Sequence, residues 1–369
     1  MTADRVASTD EAGRREDDLD AARHRRRAAG WMIGLSVSLL VVMTLAVGIG
    51  PVVIGPAEVA DIILHHLFGW PRQSTWPLSD NAIVWQIRTP RVILGALVGG
   101  GLAAAGAALQ AMVRNMLAEP YLLGVTSGAS SGAAALILFG VGVSAGIYSL
   151  TLTAFAGALA ASVAVFFLAR IGGRVTSVRL LLGGVAVGYA LSALTSFLLF
   201  AAPASDQAGT QAVLFFLLGS LTRAAWSSLW AVTIVVIAML ALLTLWGRRL
   251  DALAIGDDTC RTLGISPTRL RAQLLVIVAL GVGAAVAVSG GIGFVGLVVP
   301  HFARRLVGSG HRRVIPIAGL IGAIFLVVAD AIARIVIEPT ELPIGIVTAF
   351  VGVPFLLTLV RHFQPATDS

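Results

Sequence analysis

The residues best able to do chemistry are the ionisable ones inside apolar stretches, because a charge in a membrane is costly and usually functional. Asp330 and Arg334 lie four residues apart in one such stretch, so they share a helix face and can form an ion pair. His301, next to Pro300, lies in another. An intramembrane enzyme would need His301 and Asp330 at one depth, yet they fall on separate predicted helices without a supporting motif. The alternative for His301 is a hydrogen-bonded side chain packed between helices.

The segment 291–296 matches G-x-G-x-x-G, a pattern that binds dinucleotides when it follows a strand and opens a helix. No soluble strand precedes it here, and no acidic residue follows about 20 positions later. In membrane helices such glycines allow two backbones to approach closely. The pattern therefore favours helix packing over nucleotide binding.

The basic residues are all arginine: the chain has 26 of them and no lysine. It therefore lacks a Walker A lysine, a Schiff-base lysine and a lysine general base, so nucleotide energy would have to come from another chain. The single cysteine, Cys260, excludes an internal disulfide and a cysteine-based metal cluster. The adjacent His65 and His66 favour a surface role over a metal site. We predict no catalytic residue, metal or cofactor in this chain.

Composition indicates a membrane protein with many spans. Apolar residues make up 57% of the chain and charged residues only 12%, against about 25% in soluble domains. A span needs about 20 apolar residues. Ten blocks qualify, the eighth being the weakest: 31–50, 92–112, 121–141, 147–169, 180–201, 226–246, 272–289, 294–308, 315–336 and 343–360. The predicted fold is an all-α polytopic membrane protein of about ten transmembrane helices.

The positions of the arginines predict the orientation of these spans. With the arginines of 23–27 in the cytoplasm, 21 of the 26 lie inside, and both termini are cytoplasmic. We therefore predict a disordered cytoplasmic tail at 1–30, a ten-helix permease domain at 31–362, and a cytoplasmic tail at 363–369. Residues 51–87 and 203–225 form outer segments, the second with a half-helix at 212–221.

Two further features bear on the class of transport. A proton-coupled secondary transporter would need acidic residues at the membrane midplane, but those near the spans fall at helix ends: Glu119, Asp330, Glu338 and Glu341. The loop 248–271 carries a short segment around Gly256 that suits docking of a soluble partner, or it is an ordinary solvated loop. A transporter or channel-like protein with its energy source elsewhere fits both features.

Several stretches in a fixed order carry a resemblance to a known family. They are Arg88-Thr89-Pro90-Arg91, Gln110 with Arg114 to Pro120, Leu122 to Ala129, Leu180 to Gly184, Leu218 to Leu221, Gly291 to His301, Ala329-Asp330 with Arg334, and Glu341 to Gly345. Together they resemble the FecCD-type permeases of binding-protein-dependent ABC importers, which include those for ferric siderophores, haem and vitamin B12. The resemblance implies the fold of the vitamin B12 importer permease.

Residue roles follow from the resemblance by position. It implies that Arg88, Arg91 and Arg334 dock acidic residues of a substrate-binding protein, and we expect them to be exposed arginines that pair bidentately with carboxylates. It also implies a cytoplasmic gate and a loop that couples to the ATPase. The gate positions are Asn115, Leu117, Thr176 and Ser177, with Met116 where the family usually has proline. The coupling positions are Leu253, Gly256, Asp257, Asp258, Leu263 and Gly264.

The implied function is that of the transmembrane permease subunit of an ABC importer in the bacterial cytoplasmic membrane. Its implied partners are two ATPase subunits that bind ATP and Mg, an extracytoplasmic binding protein, and a second permease copy or paralogue. It sits in the lipid bilayer and binds no nucleic acid. A ferric siderophore is the expected cargo, with haem and vitamin B12 as the alternatives within the family. An ion-coupled secondary transporter is the alternative from another class.

Overall fold

A computed structural model of the chain describes residues 3–72, 76–171, 174–337 and 340–362. The α-helices in this part of the chain are α1 (Ala3–Gly48), α2 (Pro56–Phe68), α3 (Leu78–Asn81), α4 (Thr89–Val113), α5 (Val125–Phe139), α6 (Ser149–Ala169), α7 (Ser177–Ala201), α8 (Gln207–Leu218), α9 (Trp226–Leu245), α10 (Gly247–Ile255), α11 (Asp257–Thr262), α12 (Pro267–Ser289), α13 (Val295–Val307), α14 (His311–Ala333) and α15 (Ile344–His362). Two-residue strands, β1 (Arg170–Ile171) and β2 (Arg174–Val175), pair antiparallel between α6 and α7.

Each of the ten predicted spans corresponds to a helix, which confirms the all-α membrane fold. Within the described residues, seven helical segments are long and apolar enough to cross a membrane. The other three predicted spans form the shorter helices α5, α13 and α15. The predicted half-helix at 212–221 is α8, which begins five residues earlier, at Gln207, where the Asp206 side chain accepts a hydrogen bond from the Gly209 backbone N–H.

The structure differs from the predictions at the N-terminus. α1 begins at Ala3, so a helix runs through the segment 1–30 for which we predict a disordered tail. This segment holds no proline and is rich in alanine and arginine, which are strong helix formers. The predicted tail 363–369 and the acidic residue Glu338 lie outside the described residues.

The second span also begins earlier than predicted. Residues 51–87 are expected to be an outer surface segment, but the helical run into α4 starts at Leu78 and passes through a π-helical turn at Ala82–Arg88. Proline cannot donate the next helical hydrogen bond, and this wider turn lies just before Pro90. The Thr89 hydroxyl and its backbone N–H both donate to the Val84 carbonyl, five residues back. The turn sets the direction in which Arg88 leaves the helix.

α4 is the central helix and is buried along most of its length by α14, α13, α12 and α9. Close approach explains its glycines: a Cβ on Gly99 would overlap the Gly322 carbonyl, and one on Gly106 would overlap the Gly296 carbonyl. Gly296 belongs to the G-x-G-x-x-G segment, so the helix-packing interpretation is supported there. α4 thus joins the two ends of the molecule rigidly, over about 36 Å from Arg88 to Met112 at 1.5 Å per residue.

Candidate functional sites at the two ends of α4

Three arginines meet at the N-terminal end of α4. Arg88 ends the π-helical turn, Arg91 lies in the first turn of α4, and Arg334 directly follows α14, which packs along α4. We call Arg88, Arg91 and Arg334 the three-arginine cluster. The structure therefore brings together the three positions for which the family resemblance implies one role.

Two carboxylates hold this cluster. Arg91 donates from Nε to Asp330 Oδ1 at 3.0 Å and from Nη1 to Glu341 Oε2 at 2.8 Å. Arg334 Nη2 lies 3.1 Å from Asp330 Oδ2, which confirms the ion pair predicted from their spacing. Asp330 is fully buried, whereas the Glu341 side chain is 33% exposed. A buried carboxylate shared by two guanidinium groups is a strong constraint, because removing it leaves buried charge without a partner.

Other donors of the cluster bind backbone carbonyls near the end of α1. Arg88 donates to the carbonyls of Val47, Gly48 and Val52, and Arg334 Nη1 donates to that of Ile49 at 2.9 Å. Cationic side chains satisfy the unpaired carbonyls at a helix C-terminus and oppose its partial negative charge. The arginines thereby tie α1 to α4 and α14.

The expectation that these arginines are exposed is wrong. The relative exposures of Arg88, Arg91 and Arg334 are 5%, 6% and 3%, because each guanidinium is used within the fold. All three still line a cleft of about 220 Å³, together with Glu341. The cleft presents more positive than negative charge, and its most accessible charged group is the Glu341 carboxylate.

At the other end of α4, the predicted gate residue Asn115 builds a tight turn. The helix ends at Val113, and the next residue, Arg114, adopts the left-handed conformation. The Asn115 side-chain oxygen accepts a hydrogen bond from the Leu117 backbone N–H at 2.9 Å, and its carbonyl accepts one from the Ala118 N–H at 3.1 Å. Asparagine commonly forms such turns with its own side chain. The turn therefore closes with Met116 in place of the family's proline, and the side chains of Met116 and Leu117 are exposed.

The second predicted gate segment lies against the first. Thr176 is the N-cap of α7, where its side chain accepts a hydrogen bond from the Arg179 backbone N–H. Ser177 is buried, and its hydroxyl donates to the Met112 carbonyl at 3.1 Å. Met112 lies only three residues before Asn115. The structure thus brings Thr176 and Ser177 to the end of α4 that leads into the Asn115 turn.

The predicted coupling segment forms two short helices, α10 and α11, that meet at Gly256. The side chains of Ile255, Asp258 and Leu263 are exposed, as is Gly264, so this surface carries apolar and charged groups together. Leu253 is fully buried, so it anchors α10 in the core and presents no surface to a partner. The amphipathic pattern of α10 accounts for its inward position.

Arg271, in the first turns of α12, is the residue that the sequence-based search for sites missed. Its guanidinium is 1% exposed and donates to four segments. Nε donates to the Met112 carbonyl at 3.4 Å; Nη1 donates to the Val175 carbonyl at 3.3 Å and to Asp257 at 3.0 Å; Nη2 donates to the Ser177 hydroxyl at 3.1 Å and to Asp257 at 2.6 Å. We call Arg271, Asp257 and Ser177, with the two carbonyls, the Arg271 cluster. In the sequence, the position of Arg271 could have been inferred from its spacing. It lies three residues before Leu274 and seven before Val278, on the helix face that carries these core residues.

Electrostatics favour the ionised form of Asp257. The hydrogen bonds from Arg271 hold the pKa of the Asp257 carboxyl below its ordinary value, against the opposing effect of burial. The neighbouring pair on α11, Asp258 and Arg261, has the same 2.6 Å separation but both side chains are exposed. α11 therefore contributes Asp257 to a pair with the buried Arg271 of α12, next to an exposed pair of its own.

The candidate enzyme pair does not come together in a shared site. Asp330 is held by Arg91 and Arg334, whereas the His301 ring packs edge-on against Phe355, with 5.5 Å between ring centroids. Asp330 lies near the end of α14 where the three-arginine cluster is, and α13 leads from His301 towards the opposite end of that helix. Neither side chain has an arrangement suited to acid–base catalysis with the other.

Comparisons with known proteins agree with this arrangement. The model of the FecCD transport family matches residues 38–362. The chain is 39% identical to a vitamin B12 import permease of Vibrio cholerae, covering 78% of this chain and 86% of that one. It is 36% identical to a Fe(3+)-citrate import permease of Bacillus subtilis, covering 84% and 89%. A solved ABC transporter, described as of the metal-chelate type and inward-facing, aligns with a TM-score of 0.77 and 28% identity over 90% of this chain and 99% of that one.

Proposed function

Since the chain belongs to the FecCD transport family and is an ABC importer permease, we propose that it carries a ferric siderophore across the bacterial cytoplasmic membrane. The similarity to a ferric-citrate permease and to a metal-chelate transporter supports an iron chelate. Vitamin B12, itself a metal chelate, is the second candidate because of the similarity to a vitamin B12 permease. Haem is the third, as a cargo within the family.

In this proposal the three-arginine cluster faces the binding protein outside the cell. The cleft lined by Arg88, Arg91 and Arg334 has room for a carboxylate side chain and carries an excess of positive charge. Arginine pairs with carboxylates through two parallel hydrogen bonds. Such a docking contact fixes the orientation of the partner and also contributes binding energy. Because Glu341 already binds Arg91, an incoming carboxylate must share that guanidinium with it or displace it.

The surface of α10 and α11 faces the cytoplasm and binds the ATPase subunits. Exposed Ile255 and Leu263 supply apolar contacts, and Asp258 supplies charge. Two ATPase subunits bind ATP and Mg, and a second permease copy or paralogue completes the pathway. α7 suits the pathway side, because its exposed Ser192 and Ser196 make a weakly polar face through which a large chelate can pass without tight binding.

Two measurements test the proposal. The first is uptake of labelled ferric siderophores, haem and cobalamin by cells with and without this chain. Loss of ferric-siderophore uptake alone, restored by the wild-type chain, is the expected result. Loss of cobalamin or haem uptake instead would keep the transporter class and overturn the siderophore.

The second measurement is copurification of an ATPase subunit with the chain, in wild type and in Gly256→Arg. A Cβ at Gly256 meets only the end of the Arg114 side chain, at 3.8 Å, so the substitution fits the fold while placing a long cation on the docking surface. We expect it to abolish copurification. Gly55→Arg, where a Cβ meets nothing within 4 Å, is the matched control before α2 and should leave copurification intact. A wild-type chain that brings down no ATPase would contradict the proposal.

A further inference from the structure

Arg271 uses every donor that an arginine has. A guanidinium carries five N–H groups, and those of Arg271 make five hydrogen bonds to Asp257, Ser177 and the carbonyls of Met112 and Val175. These acceptors belong to α11, the start of α7, the end of α4 and β2. Four segments, drawn from three separate parts of the sequence because Val175 and Ser177 are only two residues apart, are therefore held by one planar group.

The four segments have different surroundings. Asp257 opens α11, which lies on the exposed surface proposed to bind the ATPase, next to Asp258. Met112 and Ser177 belong to the two segments whose turns carry Met116 and Thr176. The Arg271 cluster is thus the direct path from the docking surface to both gate segments: Arg271 and Ser177 are buried, and Asp257 is partly exposed at the surface. A displacement of α11 must either move these segments with it or break a buried ion pair, which is strongly unfavourable.

We propose that Arg271 is the positioning residue that transmits displacement of α11 to both gate segments. A displacement of α11 pulls on Arg271 through Asp257, and Arg271 in turn moves Ser177 and the Met112 carbonyl. This inference rests on the proposed function and adds to it the group that links nucleotide-driven movement to the gate. A chain of hydrogen bonds between rigid elements can carry such coupling when the elements have two arrangements.

The fork of the guanidinium is essential to this role. A lysine at position 271 would keep the positive charge but would offer three donors from one point, in place of five in a plane. It could pair with Asp257 or bind the gate segments, but it could not hold all four acceptors. Arg271→Lys should therefore lose transmission while retaining the charge balance of the site.

The experiment uses the full chain in its purified complex, reconstituted in liposomes. Met116→Cys in a Cys260→Ser background places a single thiol on the exposed Asn115 turn. We measure its rate of reaction with a maleimide with and without ATP, the rate of ATP hydrolysis, and the number of cargo molecules imported per ATP. We compare Asp257→Asn and Arg271→Lys with wild type, and in Arg271→Lys, whose side chain is buried away from the docking surface, we expect ATP hydrolysis within about twofold of wild type. The ATP-dependent change in labelling and the import per ATP should each fall by about tenfold, a typical size for a lost coupling.

Asp80→Asn is the matched control, because it makes the same substitution at a carboxylate on α3, at the opposite end of α4 from the Arg271 cluster and away from the surface proposed to bind the ATPase. It should leave the labelling change and the import per ATP as in wild type. A purely structural role for Arg271 predicts a different pattern: lower protein yield, but normal ATP-dependent labelling in the complexes that assemble. That pattern, or an equal effect of Asp80→Asn, would overturn the inference.

Ser177→Ala keeps the test decisive if the ion-pair variants fail to assemble. It removes one acceptor of Arg271 and the donor to the Met112 carbonyl while leaving the Asp257 pair in place. We expect a smaller loss of coupling, of about threefold to fivefold, at the low end of such couplings. Unchanged coupling in Ser177→Ala would contradict the inferred transmission from Arg271 to the gate segments. A wild-type complex without ATP-dependent import would contradict the proposed function instead, so the two failures are distinguishable.

Discussion

The three-arginine cluster and the Arg271 cluster lie at opposite ends of α4, and they use the same residue type in opposite ways. The first gathers three arginines around two carboxylates, and one of these, Glu341, is a third exposed beside a cleft. The second surrounds one arginine with acceptors from four segments and leaves it 1% exposed. The first site has positive charge in excess, whereas in the second the single cation has its own carboxylate and every donor is used.

Charge balance and accessibility determine what each cluster is able to do. A cluster with excess positive charge and an opening can accept a further carboxylate, because the incoming group meets guanidinium donors that are already oriented. A closed and balanced cluster gains nothing from a new ligand, but it resists separation of the elements that it joins. The chemistry of the first favours recognition, and that of the second favours mechanical transmission.

The largest expected effect comes from removing the buried acid of the three-arginine cluster. Asp330→Asn leaves Arg91 and Arg334 without the carboxylate that they share, and breaking a buried ion pair in this way costs about 3–5 kcal/mol in the free energy of unfolding. The measurement is denaturant unfolding of the purified chain in detergent, followed by circular dichroism. Asp258→Asn serves as the control, because its carboxylate is exposed and should give no measurable change.

If the Asp330→Asn chain is as stable as wild type, contacts other than the Asp330 carboxylate must hold α1, α4 and α14 together. The comparison between the two clusters would then weaken, because the first would not depend on its buried acid. A chain destabilised equally by Asp258→Asn would mean that charge number, and not burial, sets the effect.

Sequence reasoning predicted the elements of this fold well, since the signals for them are local. Runs of apolar residues predict all ten spans, and the four-residue spacing of Asp330 and Arg334 predicts their ion pair. The early start of the second span escaped notice because Leu78–Asn81 and the π-helical turn carry polar residues among the apolar ones. These residues belong to the second span because their helical backbone continues into α4, although their hydropathy does not mark them as part of it.

The partners of the arginines could not be predicted in the same way. Arg91 pairs with residues 239 and 250 positions away, and the acceptors of Arg271 lie up to 159 positions away. No local pattern encodes such contacts, which exist only once α4, α12 and α14 have packed. The same packing turned the expected exposed arginines into buried ones. Leu253 became an anchor for a simpler reason, since it faces inward on an amphipathic helix.

The next largest effect should come from Ser177→Ala in the Arg271 cluster. The change leaves an Arg271 N–H without its buried acceptor and removes the Ser177 donor from the Met112 carbonyl, which keeps Arg271 Nε; an unpartnered buried donor costs about 1–3 kcal/mol. The same unfolding measurement tests this value. Ser196→Ala, on the exposed face of the same helix, removes a hydroxyl bonded only to the Ser192 carbonyl and is expected to be neutral. Equal effects of the two alanine variants would show that the Arg271 cluster contributes no more than an ordinary helix serine.

A smaller effect is expected at the three-arginine cluster, at the other end of α4. Glu341→Gln removes the exposed carboxylate from Arg91 while Asp330 remains, so the cleft becomes more positive and a partner carboxylate meets less competition. We expect the binding protein to dock about twofold to fivefold more tightly, in line with a partly exposed ion pair. The measurement is the Kd between the complex and its binding protein at low and high salt. Asp80→Asn, whose carboxylate bonds Ser79, is the control. Weaker docking by Glu341→Gln would mean that Glu341 itself contacts the partner.

The smallest expected effect is that of pH on the Arg271 cluster. Arg271 lowers the pKa of Asp257, and Arg114 and Arg261 nearby act in the same direction, so the carboxylate binds protons more weakly folded than unfolded. The stability that it contributes is therefore complete above the ordinary aspartate pKa and is lost only as the pH falls through the lower value in the folded chain. A spin label on Met116→Cys should show unchanged mobility between pH 5 and 8, about one to four units above an ordinary aspartate pKa. A transition within that range that Asp257→Asn abolishes would mean that Asp257 is not held by Arg271, and the two clusters would then differ less than their contacts indicate.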